Sequence, residues 1–189
     1  AKGIKRAFIG SGIRYDLFDE SEYFETVVKH HTSGRLKVAP EHTEDHVLNL
    51  MRKPSFTMFE RLNSRFHQIC RRNELKYQLI PYFISSHPGC TERDMQNLAS
   101  KVLGKLNFNL EQVQDLTPTP MTLSSVMFYM GENPYTGEKV YVARSQDDKR
   151  KQKSYFFGGK LPEAQPKGRA DGHKSSRRGS SPYKPNKRR

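Results

Sequence analysis

Four short stretches of the chain carry side chains that could do chemistry: GSGIRYD (10–16), PEH (40–42), SSHPGC (85–90) and TPTPMT (117–122). In the first, two glycines allow a backbone to approach a ligand closely, and Arg14 and Asp16 follow as opposite charges two residues apart. The same residues also suit a tight strand-to-helix turn. In the second, Glu41 can accept hydrogen bonds from a ligand's hydroxyl or amine groups, or can favour the positive end of a following helix. His42 and His46 stand four apart, the spacing of metal ligands on one helical turn, but no Glu-x-x-His frame and no third ligand accompany them. The adjacent His30 and His31 fall near a helix end, where a cationic imidazole is favoured electrostatically. In the third stretch His87 and Cys90 carry the groups of a Cys/His nucleophile, although such pairs are made in space and their spacing specifies nothing. Cys90 reads equally well as a small loop residue, and Cys70, at the end of an apolar stripe, as a packed one.

These loops follow short runs rich in β-branched and aromatic residues: KRAFI (5–9), LKVA (36–39), YQLIPYFI (77–84) and QVQDL (112–116). Between the runs lie helical patterns. Phe24, Val27, Val28 and His31 share one face, as do Phe59, Leu62, Phe66 and Ile69, and Met95, Leu98, Val102 and Leu106. Thr43 and Thr91 are predicted N-caps, with Pro54 and Asn73 as stops. The β-α-β-α-β-α-β alternation predicts an α/β fold with four parallel strands and crossover helices, whose ligands meet the loops at the carboxyl ends of the strands. A closed eight-stranded barrel takes about 250 residues, so the pattern fits a small open sheet or part of a barrel.

After Leu116 the alternation stops. Residues 117–145 contain a proline-rich turn, a short apolar stretch and the turn NPYTGE, and they read as an extension packing on the sheet. The formal charge of the whole chain is +13. Residues 144–189 hold 15 Lys and Arg against 4 Asp and Glu, a net +11, so residues 1–143 account for only +2. Residues 161–189 have almost no large apolar side chains and are expected to be disordered. A basic tail of this kind can bind nucleic acid by neutralising phosphates, and it can also be no more than a solvated tail. Just before it, KRKQKSYFFGGK (149–160) offers aromatic rings between cations that could stack bases, or that could dock Tyr155, Phe156 and Phe157 on the core. With no long apolar run, no leader pattern and two cysteines, the expectation is a cytoplasmic protein with no membrane contact.

At the strand-end loops the sequence resembles a known family. SGIRYDL, LKVAPEH…VLNLMRKP, IPYFISSHPGCTERDM and VQDLTPTPMTLSSVMFYMG look like the C-terminal part of the YgiQ-type radical S-adenosylmethionine (SAM) proteins, from about Ile4 to Phe157. The resemblance implies a partial (β/α)6 radical-SAM barrel, whose third to sixth strands would be the four runs above. It implies residues 1–120 as the C-terminal part of the barrel, 121–160 as the family's extension and 161–189 as the disordered basic tail. It further implies that Glu41 and His42 lie against the SAM ribose, that Ser85, Ser86, Pro88 and Gly89 lie near the adenine, and that Arg14 and Asp16 face the pocket.

The family's cofactors are SAM and a [4Fe–4S] cluster, which together generate a deoxyadenosyl radical that acts on a substrate. The substrate of this protein is unknown. The chain departs from the family in having no Cys-x3-Cys-x2-Cys motif, and a cluster needs at least three thiolates beside SAM. It also opens on Ala1 at what should be an interior strand. The expectation is therefore a piece of an enzyme, catalytically inactive alone. The alternative is a non-catalytic basic module associated with RNA or ribosomes.

Overall fold

The computed structural model describes residues 3–17, 22–108, 110 and 113–157. The predicted basic tail at 161–189 lies outside the described residues. Three parallel strands, β1 (Arg35–Glu41), β2 (Gln78–Ser85) and β3 (Val113–Asp115), form one sheet in the order β1-β2-β3. The helices are α1 (Glu22–His30), α2 (Asp45–Met51), α3 (Phe56–Arg72), α4 (Glu92–Ala99), α5 (Leu123–Met130) and α6 (Gln146–Ser154), and α4 runs into a π-helical turn at Ser100–Lys105.

Alternate strand residues bury. Leu36 and Val38 of β1 and Leu79 and Phe83 of β2 join a single core, as the period of a pleated strand requires. Against them pack Phe24, Val27 and Val28 of α1 and Phe59, Leu62, Phe66 and Ile69 of α3, all 3% exposed or less. Met95, Leu98 and Val102 complete the core from α4 and the turn after it, so the helical stripes read from the sequence are the faces that bury. On the opposite face of the sheet Lys37 and Ala39 of β1 and Tyr82 and Ile84 of β2 are only half buried.

One expected strand is not formed. Residues 5–9 make no ladder, and the segment touches β1 at a single parallel bridge, Ile13 to Val38, where the Ile13 amide donates to the Lys37 carbonyl at 3.3 Å. Ile4 is 67% and Phe8 50% exposed while Ile9 packs on the core, so most of the apolar run that suggested a strand stays unburied, and Gly10 and Gly12 follow it. A helix boundary also moves. The N-cap of α2 is Glu44 rather than Thr43, whose hydroxyl donates instead to the Glu44 carboxylate. Thr91 does cap α4, in a reciprocal capping box with Asp94, and Asn73 closes α3.

The extension consists of α5, an antiparallel bridge between Glu132 and Lys139, and α6, which packs on α4 and β2. Phe156 is 8% exposed within the core, so the aromatic run 155–157 docks on the protein. None of the helices among the described residues is long and apolar enough to cross a membrane.

Candidate functional site

The carboxyl ends of the three strands meet at one edge of the sheet, and those of β1 and β2 end irregularly. The ladder of β1 with β2 shifts register between Val38 and Glu41. Pro40, with no amide hydrogen to give the ladder, sits within that shift, where a proline in a strand is tolerated. Its carbonyl accepts the His42 amide at 2.8 Å, and Glu41 is forced to a φ of 66°, a region that side-chain-bearing residues seldom occupy. At the end of β2, Ser86 repeats the conformation with a φ of 62°. Such backbone costs about 1–3 kcal/mol per residue and persists only where surroundings impose it.

Glu41 is set against Lys53, with Nζ 3.2 Å from Oε1 and 15% of its side chain exposed. Burial pushes the Glu41 carboxyl above its usual range, and the ammonium of Lys53 only partly opposes this. Beside them Arg14 and Asp16 form a two-toothed pair, Nε to Oδ1 at 3.1 Å and Nη2 to Oδ2 at 2.6 Å. Hydrogen bonding from Arg14 holds the Asp16 carboxyl below its ordinary range. Both residues line a cleft of about 180 Å³ together with Gly12, Ala39 and Lys53, so the loop after the expected first strand does reach the β1 end.

His42 lies beneath this surface, wholly buried. The Glu44 amide donates to its Nδ1 at 3.1 Å, which fixes the tautomer and leaves the proton on Nε2, directed at Cys90 Sγ 3.4 Å away. Burial holds the His42 imidazole down at about 4 and pushes the Cys90 thiol up to about 12. The pair is therefore a neutral imidazole donating to a neutral thiol, and it lacks the thiolate that nucleophilic catalysis needs. The sequence pairing of His87 with Cys90 is corrected by the same geometry. His87 donates from Nδ1 to the Pro88 carbonyl at 2.7 Å and accepts at Nε2 from Ser124 at 2.8 Å, and its burial lowers its pKa.

The loop after β2 is built into its surroundings from several sides. Ser85 donates to Asp115 Oδ1 at 2.7 Å, and Lys153 reaches Asp115 Oδ2 at 2.7 Å. The Gly89 amide donates to the Tyr141 carbonyl at 2.8 Å. Gly89 has a φ of 87°, and a Cβ there would come within 2.3 Å of Leu50, so the close fit needs glycine. Pro88 is buried in the same turn. Ser86 is 1% exposed, and its hydroxyl has no hydrogen-bond partner. A buried hydroxyl left unpaired is uncommon enough to require a reason.

His42 and His46 do not share a ligand position, since His42 precedes α2 and points at Cys90. His46 instead lies 3.3 Å from Asp94, and with Glu44 these residues bring three ligating atoms within 4.8 Å of one another. Both carboxylates already serve local structure: Asp94 accepts the Thr91 amide and hydroxyl in the capping box, and Glu44 accepts from Thr43. Sequence reading missed Asp94 as a partner because it lies on another helix. It also missed Gln152, a polar residue in a lysine-rich run that is 1% exposed and inserted into the β2 loop.

A family model described as a domain of unknown function (DUF3362) matches residues 111–157, which take in β3, α5 and α6. The chain is 52% identical over 166 residues to a UPF0313 protein of Bacteroides thetaiotaomicron, covering 82% of the chain and 27% of that protein. It is 52% identical over 172 residues to a UPF0313 protein of Porphyromonas gingivalis, covering 85% and 27%. A UPF0313 protein of Methanocella arvoryzae is 46% identical over 149 residues, covering 78% and 25%. The chain thus spans about a quarter of the length of these relatives. No solved structure matches it.

Proposed function

We propose, from the resemblance of its strand-end loops to radical-SAM proteins, that the strand-end edge of this chain, which belongs with the UPF0313 proteins over the stretch it shares with them, is part of a SAM pocket in a radical-SAM enzyme. The observation that carries the reading is Ser86: an unpaired, buried hydroxyl at the end of the middle strand, on left-handed backbone, with a second left-handed residue, Glu41, at the end of the neighbouring strand β1. Ligands of parallel α/β folds meet the chain at this edge, and strained backbone gathers at binding sites.

In this reading Ser86 and the backbone around Gly89 meet the adenine, and Glu41 accepts from the ribose hydroxyls while Lys53 balances its charge. His42 holds the floor through Glu44 and Cys90 and does not touch the ligand. Arg14 and Asp16 line the neighbouring cleft. SAM bound there would supply a deoxyadenosyl group for radical chemistry.

Nothing in the described residues fits the cluster itself. Cys70 is packed in the core on α3, and Cys90 is a protonated thiol under His42. The cluster ligands of the proposed enzyme would belong to another part of it.

Amide chemical shifts of the ¹⁵N-labelled full chain, titrated with millimolar SAM, test the pocket. Shifts that gather at Glu41, Ser86 and Gly89 support it, and Glu41→Ala should then weaken binding by about 1–3 kcal/mol, the value of a hydrogen bond to a charged group. An unmoved spectrum would remove the pocket.

A second reading has one observation behind it. The Phe128 ring is flanked by Arg144, 5.6 Å from its centroid, and by Lys149 at 5.8 Å, which joins an aromatic platform to cations at the start of the basic segment 144–189. That arrangement suits single-stranded nucleic acid. Gel shifts of intact and tail-deleted chains across a salt series test it; retention that depends on the tail and falls steeply with salt favours it.

A further inference from the structure

α6 is an unusual helix to find docked on a core. Of its nine residues, QDDKRKQKS, the one that is buried is a glutamine. A helix that attached itself only to hide apolar surface would present a leucine or valine at that position. Gln152 instead spends both halves of its amide on the loop after β2. Its Oε1 accepts the Ser86 amide at 2.7 Å, and its Nε2 donates to the Cys90 carbonyl at 2.9 Å.

An amide tip offers one acceptor and one kind of donor side by side. The loop presents the complement, an N–H at Ser86 and a C=O at Cys90. The next residue, Lys153, reaches Asp115 Oδ2, and Asp115 accepts from Ser85 through its other oxygen. Two consecutive residues of α6 therefore hold the ends of both β2 and β3. The same C-terminal end of the helix is fixed further, because Tyr155 donates to Glu92, Gln96 donates to Tyr155 at 2.7 Å, and Phe156 enters the core.

We infer that α6 is a brace: Gln152 is a positioning residue that keeps the 85–90 loop in its left-handed form at Ser86, and so sets the shape of the pocket edge. The pocket half of this statement rests on the SAM reading above; the brace half does not. It also gives the region matched by the DUF3362 model a task, because that region contains both Gln152 and Lys153.

The test uses the full chain and two substitutions at position 152, read by hydrogen-exchange protection factors for the amides of 85–90 and of α3, and by affinity for S-adenosylhomocysteine. Gln152→Met keeps the volume and removes both hydrogen bonds. It should lower protection of the Ser86 amide at least tenfold, leave α3 unchanged and weaken the ligand in the same direction. Gln152→Glu is the discriminating variant. At pH 8 its carboxylate cannot donate to the Cys90 carbonyl and exchange should be fast. At pH 5 burial favours the protonated acid, whose C=O and O–H reproduce the amide's acceptor and donor, so protection should return; Gln152→Met should stay fast at both pH values.

Equal Ser86 protection in wild type and Gln152→Met overturns the brace, as does the absence of pH rescue in Gln152→Glu. A loosened loop with unchanged ligand affinity overturns its positioning role. Should Gln152→Met fail to fold, Lys153→Met must still loosen Ser85 and Asp115 or the inference falls. Wild type that binds no S-adenosylhomocysteine overturns the SAM reading instead, and the exchange data then decide the brace alone.

Discussion

At the end of β1 a left-handed residue carries a carboxyl group, Glu41, with 15% of its side chain exposed and answered by a half-exposed lysine from the next loop. At the end of β2 a left-handed residue is neutral, Ser86, and sealed beneath a helix that arrives from sixty-six residues later in the sequence. The backbone device is the same and the setting is opposite. On the β1 side the chain keeps its conformation with local contacts and a surface ion pair, which water and salt weaken. On the β2 side it uses a buried hydrogen-bond system, Gln152 to the loop and His42, reaching over from just after β1, to Cys90, with the Lys153–Asp115 ion pair beside it; the buried neutral members keep their strength but are costly to protonate or remove. The two ends should therefore fail under different insults.

Acid should strike the β2 side, and this is the largest effect expected. His42 is held at about 4 in the folded protein against 6.5 when exposed. Above 6.5 both states are neutral and pH has no effect through this group. Between 6.5 and 4 the unfolded chain takes up a proton that the folded one refuses, so stability falls with falling pH, by on the order of 3 kcal/mol across the window. His87, also lowered by burial, adds a loss of the same sign. Urea unfolding at pH 7 and pH 4.5 measures the slope, and His42→Gln should reduce it; an undiminished slope would show that the acid sensitivity lies elsewhere.

Ser86→Gly should act the opposite way. Glycine accepts the φ of 62° without strain, and the unpaired hydroxyl disappears. We expect a gain of about 1 kcal/mol, net of glycine's greater unfolded entropy, together with weaker ligand binding. A stabilised variant that binds as wild type would leave the serine without a purpose in the pocket.

On the β1 side, Lys53→Met strips Glu41 of its partner. Because the lysine side chain is 37% exposed, screening limits the loss to about 1 kcal/mol at pH 7. It should vanish when the solution is acid enough to protonate Glu41, a reversal of the acid response on the β2 side. The smallest effect belongs to Arg14→Ala. Its guanidinium is largely in solvent, and the thermal midpoint should not move measurably at 0.15 M salt; a clear drop would mean that the Arg14 and Asp16 pair carries more of the β1 end than its exposure suggests.

Which of these residues could be foreseen depended on how local their reasons are. The stripes Phe59, Leu62, Phe66 and Ile69, and Met95, Leu98 and Val102, are written in the helical period, and the Thr91 cap in its own four residues. Glu41 and Ser86 could be placed at strand ends because strand-then-helix alternation marks where each strand stops. The KRAFI run misled because apolar residues do not make a strand without something to bury them against. Cys90 could not be matched with His42, forty-eight residues away, since no periodicity links them. Gln152 was hidden by its neighbours: among lysines and an arginine, a glutamine reads as surface.

The distance between Gln152 and its loop also has a bearing on time. Contacts within α4 and between α4 and the turn after it close short stretches of chain, whereas the brace must wait until residues far apart in sequence have met. α6 is thus expected to be the last part of the protein to arrive during folding and the first to leave during fluctuation. The 85–90 loop then has a moment, before α6 settles, in which Ser86 can leave its left-handed form, and any molecule that needs the loop open would enter then.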